Sequence, residues 1–264
     1  MKTRHGILIS MLILLGAFGL SSCSKDDASV ENDEVTQEMA AEIVGSSLVS
    51  GTSGAMADIE IIASFIDQSV NGASSGVRST NSFETIGCGQ TVDTTIIARD
   101  NGIVKFNYTK MYSFNLQCDA SDNPTQLNTS FSYEGNFDAP RMTSSHSGTG
   151  NLVVTNIAYT SDMYLFNGTW SRSGNFESKI RNKFARQATV QLDFNNVSYE
   201  RQPKTIDTGT INFKVSGSNS HGSYNYEGTI TFIGDGKTEI TISGSRYNVN
   251  MESGDVTASA KSII

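Results

Sequence analysis

Apolar and polar residues alternate along most of the chain from residue 83 onward. In the clearest run, residues 106–118, apolar side chains occupy the even positions and Lys110 is the one exception. One long strand with a single buried face explains this period of two, whereas a break near Thr109 and Lys110 would give two shorter strands. The same alternation predicts further strands at 127–137, 150–159, 163–170, 188–198, 206–215, 224–233, 237–244 and 246–251.

Short turn signals separate many of these runs. They combine Asp, Asn, Gly and Pro, the residues that tight turns favour, at Asp100-Asn101-Gly102, Asp122-Asn123-Pro124, Asp235-Gly236 and Ser253-Gly254-Asp255. Parallel strands would need helical crossovers between them, and the segments between the runs are too short to hold such helices. The sequence therefore predicts an antiparallel meander.

Two segments before residue 71 have helical periodicity instead. Apolar residues recur every three to five positions at Val35, Met39, Ile43 and Leu48, and again at Ile59, Ile62, Phe65, Ile66 and Val70. Ser53 is the expected N-cap of the second helix. Such stripes favour helix faces that pack on a sheet over a groove for a partner. The predicted fold class is mainly β (α+β), with two N-terminal helices packed on a long antiparallel meander in one domain, residues 35–264.

A recurring pattern of aromatic residues and glycine predicts that this meander is curved. It occurs as Phe131-x-Tyr133-x-Gly135-x-Phe137, Tyr164-x-Phe166-x-Gly168-x-Trp170 and Tyr224-x-Tyr226-x-Gly228-x-Ile230. Glycine lets a twisted strand bend, and an aromatic neighbour covers the exposed backbone. We expect a barrel or a half-barrel closed by the helices. A filled interior is favoured, and the alternative is a trough for an apolar or sugar ligand lined by Tyr133, Phe166, Trp170 and Tyr226.

Composition agrees with a strand-rich body and excludes some partners. Ser, Thr, Asn and Gly make up 106 of the 264 residues, and the formal net charge is −8. This mixture is too rich in apolar residues for a disordered chain and too poor in helix-forming residues for a helical bundle. Nucleic acid is excluded as the expected partner, because phosphate binding needs a basic stripe that the sequence lacks.

The N-terminal segment has the features of a secretory signal peptide. Lys2 and Arg4 precede an apolar run at 7–20, which is shorter than the roughly 20 residues of a membrane-spanning helix. Residues 1–22 are therefore expected to be removed, and the formal net charge then changes from −8 to −10. The following Leu20-Ser21-Ser22-Cys23 resembles the lipobox of bacterial lipoproteins. That resemblance implies that Cys23 is acylated with diacylglycerol and palmitate and becomes the mature N-terminus.

An acidic segment follows Cys23. Lys25, Asp26 and Asp27 resemble the export signal of surface-displayed lipoproteins in Bacteroidota, and a solvated acidic tether is the alternative interpretation. Residues 23–34 carry five acids and one base, which is typical of a disordered tether between a lipid and a folded body. The resemblance implies an outer-membrane lipoprotein at the cell surface, and the periplasmic face is the alternative.

Two further cysteines, Cys88 and Cys118, remain in the mature chain. An even pair beyond the cytoplasmic membrane is most simply a disulfide, expected here between adjacent early strands. A catalytic cysteine or a thiolate metal ligand is the alternative, but each needs nearby histidine or further cysteine, which the local sequence does not supply.

Candidate catalytic and binding motifs are few. His146 and His221 lie in Ser- and Gly-rich stretches that predict solvated turns, and no G-x-S-x-G elbow positions a nucleophile. The segment from Asp119 to Ser130 lacks the glycine and the final glutamate of a calcium loop. The sequence thus predicts no metal, cofactor or catalytic site. Asp93-Thr94-Thr95 resembles an O-glycosylation acceptor of Bacteroidota, with Thr94 as the acceptor, and an ordinary strand start is the alternative.

Three classes of function follow from these features. The leading hypothesis is a lipid-anchored, surface-exposed envelope protein with a non-enzymatic binding or structural role, whose partner is a protein, glycan or lipid. The second is a carrier of a hydrophobic ligand inside a curved sheet. The third is a hydrolase whose site would place His146 or His221 beside a carboxylate. Fimbrial lipoproteins also combine a lipobox with an all-β body, but the sequence shows no further motif of theirs.

Overall fold

The structure, a computed structural model, describes residues 35–72, 83–180, 185–219, 222–234 and 236–259. Helix α1 spans Gln37–Leu48, and α2 spans Ala55–Phe65 and continues as a π-helical turn to Val70. Eleven strands follow: β1 Thr91–Asn101, β2 Lys105–Cys118, β3 Pro124–Asp138, β4 Met142–Thr155, β5 Met163–Ser178, β6 Ala185–Glu200, β7 Thr205–Asn219, β8 Gly222–Phe232, β9 Thr238–Ile242, β10 Ser245–Val249 and β11 Val256–Ala258.

The strands form one antiparallel sheet in which each strand pairs with its neighbours in the chain. The order is β1 to β11 without a crossover, as the short turns predicted. Within the described residues β1 and β11 are not paired with each other, so the sheet is curved but not closed into a barrel. The prediction of a mainly β fold with two helices on a curved meander is confirmed, and the half-barrel is the form it takes.

Alternation assigns the two faces of the sheet. In β2 the even-numbered residues from Tyr108 to Leu116 are buried, and the intervening residues are exposed or half-buried. We call the buried side, which packs under the helices, the inner face and the opposite side the outer face. Strand β2 runs unbroken through Lys110, so the alternative of two shorter strands is wrong.

Glycines on the inner face lie directly under aromatic rings of the next strand. Gly135 pairs with Tyr108, and a Cβ at Gly135 would overlap the tyrosine ring. Gly228 stands in the same relation to Phe213. Gly168 has a φ of +126° and lies at a bulge between β5 and β6. The repeated aromatic and glycine pattern therefore marks one face of the curved sheet, as expected.

Two local predictions are wrong. Ser53 is not the N-cap of α2, because Gly54 occupies that position and Ser53 has a left-handed backbone with φ of 53°. His146 is not a solvated turn residue, because it lies inside β4 and is only 6% exposed. The Ser- and Gly-rich stretch around it forms strand because Gly148 and Gly150 make room for the rings of Tyr133 and Phe131.

The N-terminal features lie outside the described residues, as does His221. These features are the predicted signal peptide at 1–22, the predicted tether at 23–34, and within it Cys23, Lys25, Asp26 and Asp27. In the part of the chain that the structure describes, no helix combines the length and apolar character needed to span a membrane.

Cys88 and Cys118 lie at disulfide distance. Their sulfur atoms are 2.00 Å apart and their Cα atoms 5.6 Å apart. Cys118 is the last residue of β2, whereas Cys88 lies in the turn before β1 rather than on a strand. The pair therefore joins the segment that leads from the helices into the sheet to the end of the second strand.

We expect the double variant C88S/C118S to unfold with a free energy about 3–4 kcal/mol lower than the parent chain, because the link closes a loop with a sequence separation of 30 residues. Denaturant titration of both proteins measures this difference. A mass measurement that finds two free thiols in protein purified without reductant would contradict the assignment.

Candidate functional site

The most concentrated polar chemistry in the described residues surrounds Asp58, in the first turn of α2. Its carboxylate is fully buried and accepts three hydrogen bonds from the inner face of the sheet. Lys110 Nζ donates at 2.7 Å and Tyr112 Oη at 2.5 Å, both to Oδ1, and Trp170 Nε1 donates at 2.8 Å to Oδ2. One helical side chain is thereby tied to two strands, β2 and β5.

Lys110 is the cation of this cluster on β2, and it is fully buried. Besides Asp58, its ammonium group donates to the Ser53 carbonyl at 3.3 Å and lies 5.5 Å from the Tyr133 ring centroid. Burial lowers the pKa of Lys110, and the adjacent Asp58 carboxylate opposes that shift. Ser53, which has a left-handed backbone, therefore contributes its carbonyl oxygen to Lys110 and does not cap α2.

Arg172 on β5 adds a second fully buried cation. Its Nη1 donates to the Ser46 carbonyl at 3.2 Å and its Nη2 to the Ser53 carbonyl at 2.9 Å. The guanidinium carbon lies 5.0 Å from the Trp170 ring centroid, a distance at which the ring face attracts a cation. Arg172 therefore holds both the last turn of α1 and the segment that precedes α2.

The cluster contains one carboxylate and two cations, so carbonyl oxygens and ring faces must compensate the second positive charge. Ser46 lies in the last turn of α1, where the helix dipole places partial negative charge. Since Asp58, Lys110 and Arg172 are each 0% exposed, none of them can meet a substrate from solvent. The arrangement can hold the helices on the sheet, and it offers no open position for chemistry.

His146 belongs to a second buried network rather than to a solvated site. Ser144 Oγ donates to the Asn175 carbonyl at 2.8 Å, so it accepts from His146 Nδ1 at 2.7 Å. In a neutral imidazole with its proton on Nδ1, Nε2 is unprotonated and accepts from the Tyr108 hydroxyl at 2.8 Å. Burial lowers the pKa of His146, and burial raises the pKa of Tyr108 to about 12. The network therefore holds a neutral imidazole.

A shallow depression of about 470 Å³ lies on the outer face beside His146. Both Glu134 and His146 border it, the combination that the hydrolase hypothesis requires. However, Glu134 is an outer-face residue, whereas the imidazole of His146 stacks on Phe176 at 5.9 Å on the inner face. Strand alternation therefore keeps carboxylate and imidazole on opposite sides of the sheet, and hydroxyl groups occupy both ring nitrogens.

A third polar group fastens the far end of α2. Asp67 Oδ1 accepts from Tyr164 Oη at 2.6 Å and from Arg201 Nε at 3.0 Å, and Asn71 Nδ2 donates to the same tyrosine oxygen at 3.2 Å. Burial and the neighbouring Asp67 raise the pKa of Tyr164. Both ends of the second helix are therefore bonded to the sheet.

The structure places on the inner face all four residues that were expected to line a ligand trough: Tyr133, Phe166, Trp170 and Tyr226. The first three are buried, and the Tyr226 hydroxyl donates to the Val35 carbonyl, just before α1, at 2.6 Å. Trp170 contacts α2 through Asp58. Tyr133, Phe166 and Trp170 belong to the same hydrophobic core as the apolar residues of both helices, which is the arrangement of a filled interior.

Thr94, the predicted O-glycosylation acceptor, is the remaining predicted residue in the described part of the chain. Thr94 is half-buried on the inner side of β1, opposite Tyr112. Among the described residues, no three His, Cys, Asp or Glu side chains form a group that could hold a metal ion.

Sequence reasoning missed the Asp58 cluster, although signals for it were present. Lys110 interrupts the apolar series of β2, and Arg172 occupies an inner-face position of β5. Asp58 precedes Ile59 on the apolar stripe of α2, where an acid needs a buried partner. Charged residues at core positions of three elements indicate that these residues pair with one another in the folded chain.

Comparison with known proteins adds no assignment. No protein-family model, no curated protein and no solved structure matches the chain.

We expect D58A to lower the free energy of unfolding by about 3–5 kcal/mol, because it leaves Lys110 buried without its carboxylate. The double variant D58A/K110M should lose less than the two single variants combined. D193A, which removes an exposed acid on β6, is the matched control and should change stability by less than about 0.5 kcal/mol. Denaturant titration measures all four, and additive losses in the double variant would contradict the pairing.

His146 should make the protein less stable in mild acid. Its pKa in the folded chain lies below the unfolded value of about 6.5, so protons bind preferentially to the unfolded chain. Stability from this group is present above about pH 6.5 and is lost as pH falls, by about 2 kcal/mol between pH 7 and pH 5. H146Q should make the free energy of unfolding less dependent on pH over this range. H221Q is the control and should leave the pH dependence unchanged. An unchanged slope in H146Q would exclude His146 as the cause.

Proposed function

We propose that the chain is a lipid-anchored protein of the outer membrane, displayed at the cell surface, with a non-enzymatic binding or structural role. The lipobox at residues 20–23 and the Lys-Asp-Asp sequence at 25–27 support the anchor and the export route. The acidic tether and the acidic mature chain support a body held away from the membrane surface, because an anionic membrane surface repels them.

One observation carries the choice of a binding or structural role over a carrier. Two of the aromatic residues that would line an internal ligand site are already bonded to the N-terminal segment: Trp170 donates to Asp58 of α2 at 2.8 Å, and Tyr226 donates to the Val35 carbonyl, just before α1, at 2.6 Å. A hydrophobic ligand would have to displace those contacts and uncover the buried charges. The inner face is therefore used to pack the helices, and a partner would bind on the outer face of the sheet.

The outer face has the chemistry of a broad polar recognition surface. Its central strands carry short hydroxyl and amide side chains that are exposed to solvent, among them Asn107, Thr109, Ser130, Ser147, Thr169 and Asn212. Such groups can donate and accept hydrogen bonds without introducing charge. A glycan or the polar surface of a protein is the partner that fits this face.

Protease treatment of intact cells tests the display. We expect external protease to degrade the wild-type chain, and purification of the acylated protein to recover its envelope partner. C23A should lose the acyl mass and its retention in the membrane fraction. K25A/D26A/D27A should keep the acyl mass but become protected, because only the export sequence is altered.

Permeabilised cells provide the control, since every variant should then be cleaved. Protection of the wild-type chain in intact cells would contradict surface display and place it on the periplasmic side. Co-purification of a lipid in stoichiometric amount would instead favour the carrier.

A further inference from the structure

Strand β1 is a long edge of the sheet. It spans 11 residues, Thr91–Asn101, and pairs with β2 on one side; no strand of the described ranges pairs with its other side. The opposite edge, β11, has only three residues. A long edge strand offers a row of backbone donors and acceptors to another strand. β1 contains no proline that would block such pairing.

The register shows which backbone groups face outward. Leu116 donates its N–H to Gln90 and accepts from Gly89, so the even-numbered residues of β2 direct their backbone groups toward β1. Their partners in β1 are even-numbered as well, for example Thr94 opposite Tyr112. Because antiparallel strands alternate, the odd-numbered residues of β1 direct their N–H and C=O groups away from the sheet.

Three of the seven exposed large apolar side chains of the described residues lie at the same edge. Ile97 is 61% exposed on β1, Met111 is 54% exposed on β2 beside it, and Ile103 in the connecting turn is 80% exposed. Thr95 pairs with Met111, so Ile97 and Met111 are diagonal neighbours on the outer face. The edge thus combines unpaired backbone groups with apolar surface that the described part of the chain does not cover.

We propose that a second copy of this chain occupies the edge, through antiparallel pairing of β1 with β1 about a two-fold axis at Ile96. In that register Asp93 of each copy lies opposite Arg99 of the other, and Thr95 lies opposite Ile97. All four are odd-numbered, so their outward backbone groups meet as hydrogen-bonded pairs. The contact is self-complementary, as a two-fold interface must be.

Charge selects this register among the neighbouring ones. A two-fold axis at Thr95 would place Asp93 opposite Ile97, and an axis at Ile97 would place Arg99 opposite Thr95. Only the axis at Ile96 forms an opposite-charge pair, and symmetry forms it twice. Arg99 Nε already donates to Asn107 Oδ1 at 2.9 Å, which holds the guanidinium group on the outer face, where Asp93 also lies.

The test is the oligomeric state of the full lipidated chain in detergent, measured by native mass spectrometry over a range of concentrations. The wild-type chain should form dimers. R99D and D93R should each raise the dissociation constant about tenfold or more, because each places like charges opposite one another twice. The double variant D93R/R99D should restore the dimer, since the charge pairs are then exchanged.

Two further variants test whether pairing of the β1 edge is what causes the dimer to form. D193A removes an exposed acid on β6, away from the β1 edge, and should leave the dimer intact. T95P removes an outward N–H without touching the bonds to β2 and should give monomers, with an unchanged circular dichroism spectrum as the check on folding. A wild-type monomer, a dimer insensitive to R99D and T95P, or a monomer that co-purifies with a different protein would each overturn the proposal.

Discussion

The rest of the structure depends on the burial of one carboxylate. Asp58 is fully removed from water, and its charge is tolerated because Lys110, Tyr112 and Trp170 all donate to it. None of these partners is local, since the bonds span 52 to 112 residues of sequence. The helices must therefore dock on the sheet in one orientation for the charges to be satisfied. Arg172 extends the same requirement to the end of α1 through the Ser46 carbonyl.

Curvature brings these residues together. Several inner-face rings lie over a glycine of the neighbouring strand, as Tyr108 does over Gly135 and Phe213 does over Gly228. Removing side-chain volume on one side of a strand lets the sheet bend toward that side. The bend encloses the helices, and the polar cluster then closes the interior. What remains accessible in the described residues is the polar outer face and the long edge at β1.

Local pattern was sufficient for most of the strands, their antiparallel order and the face that is buried, because a period of two depends only on which side of a strand meets water. The predicted runs did not include β1, β11 or the first half of β4. The pairing of Cys88 with Cys118 could likewise be predicted, because they are the two cysteines that remain after Cys23. The Asp58 cluster could not be predicted in this way. Its three charged residues lie in three different elements, and nothing local in the sequence shows that the fold brings them together. Lys110 shows the difference: read alone it suggested a strand break, and read with Asp58 it is a core residue. His146 was misread for a related reason, since small residues around it resembled a turn and in fact admit aromatic rings.

The helices and the Asp58 cluster seal the inner face of the sheet. Trp170 reports on this directly, because it is the only tryptophan in the chain and its indole N–H is bonded to Asp58. Fluorescence of the native protein, with acrylamide as quencher and with added lipid, is the measurement. We expect blue-shifted emission that acrylamide quenches weakly and that added lipid leaves unchanged. Emission typical of solvated indole, or a spectrum that shifts when lipid binds, would contradict it.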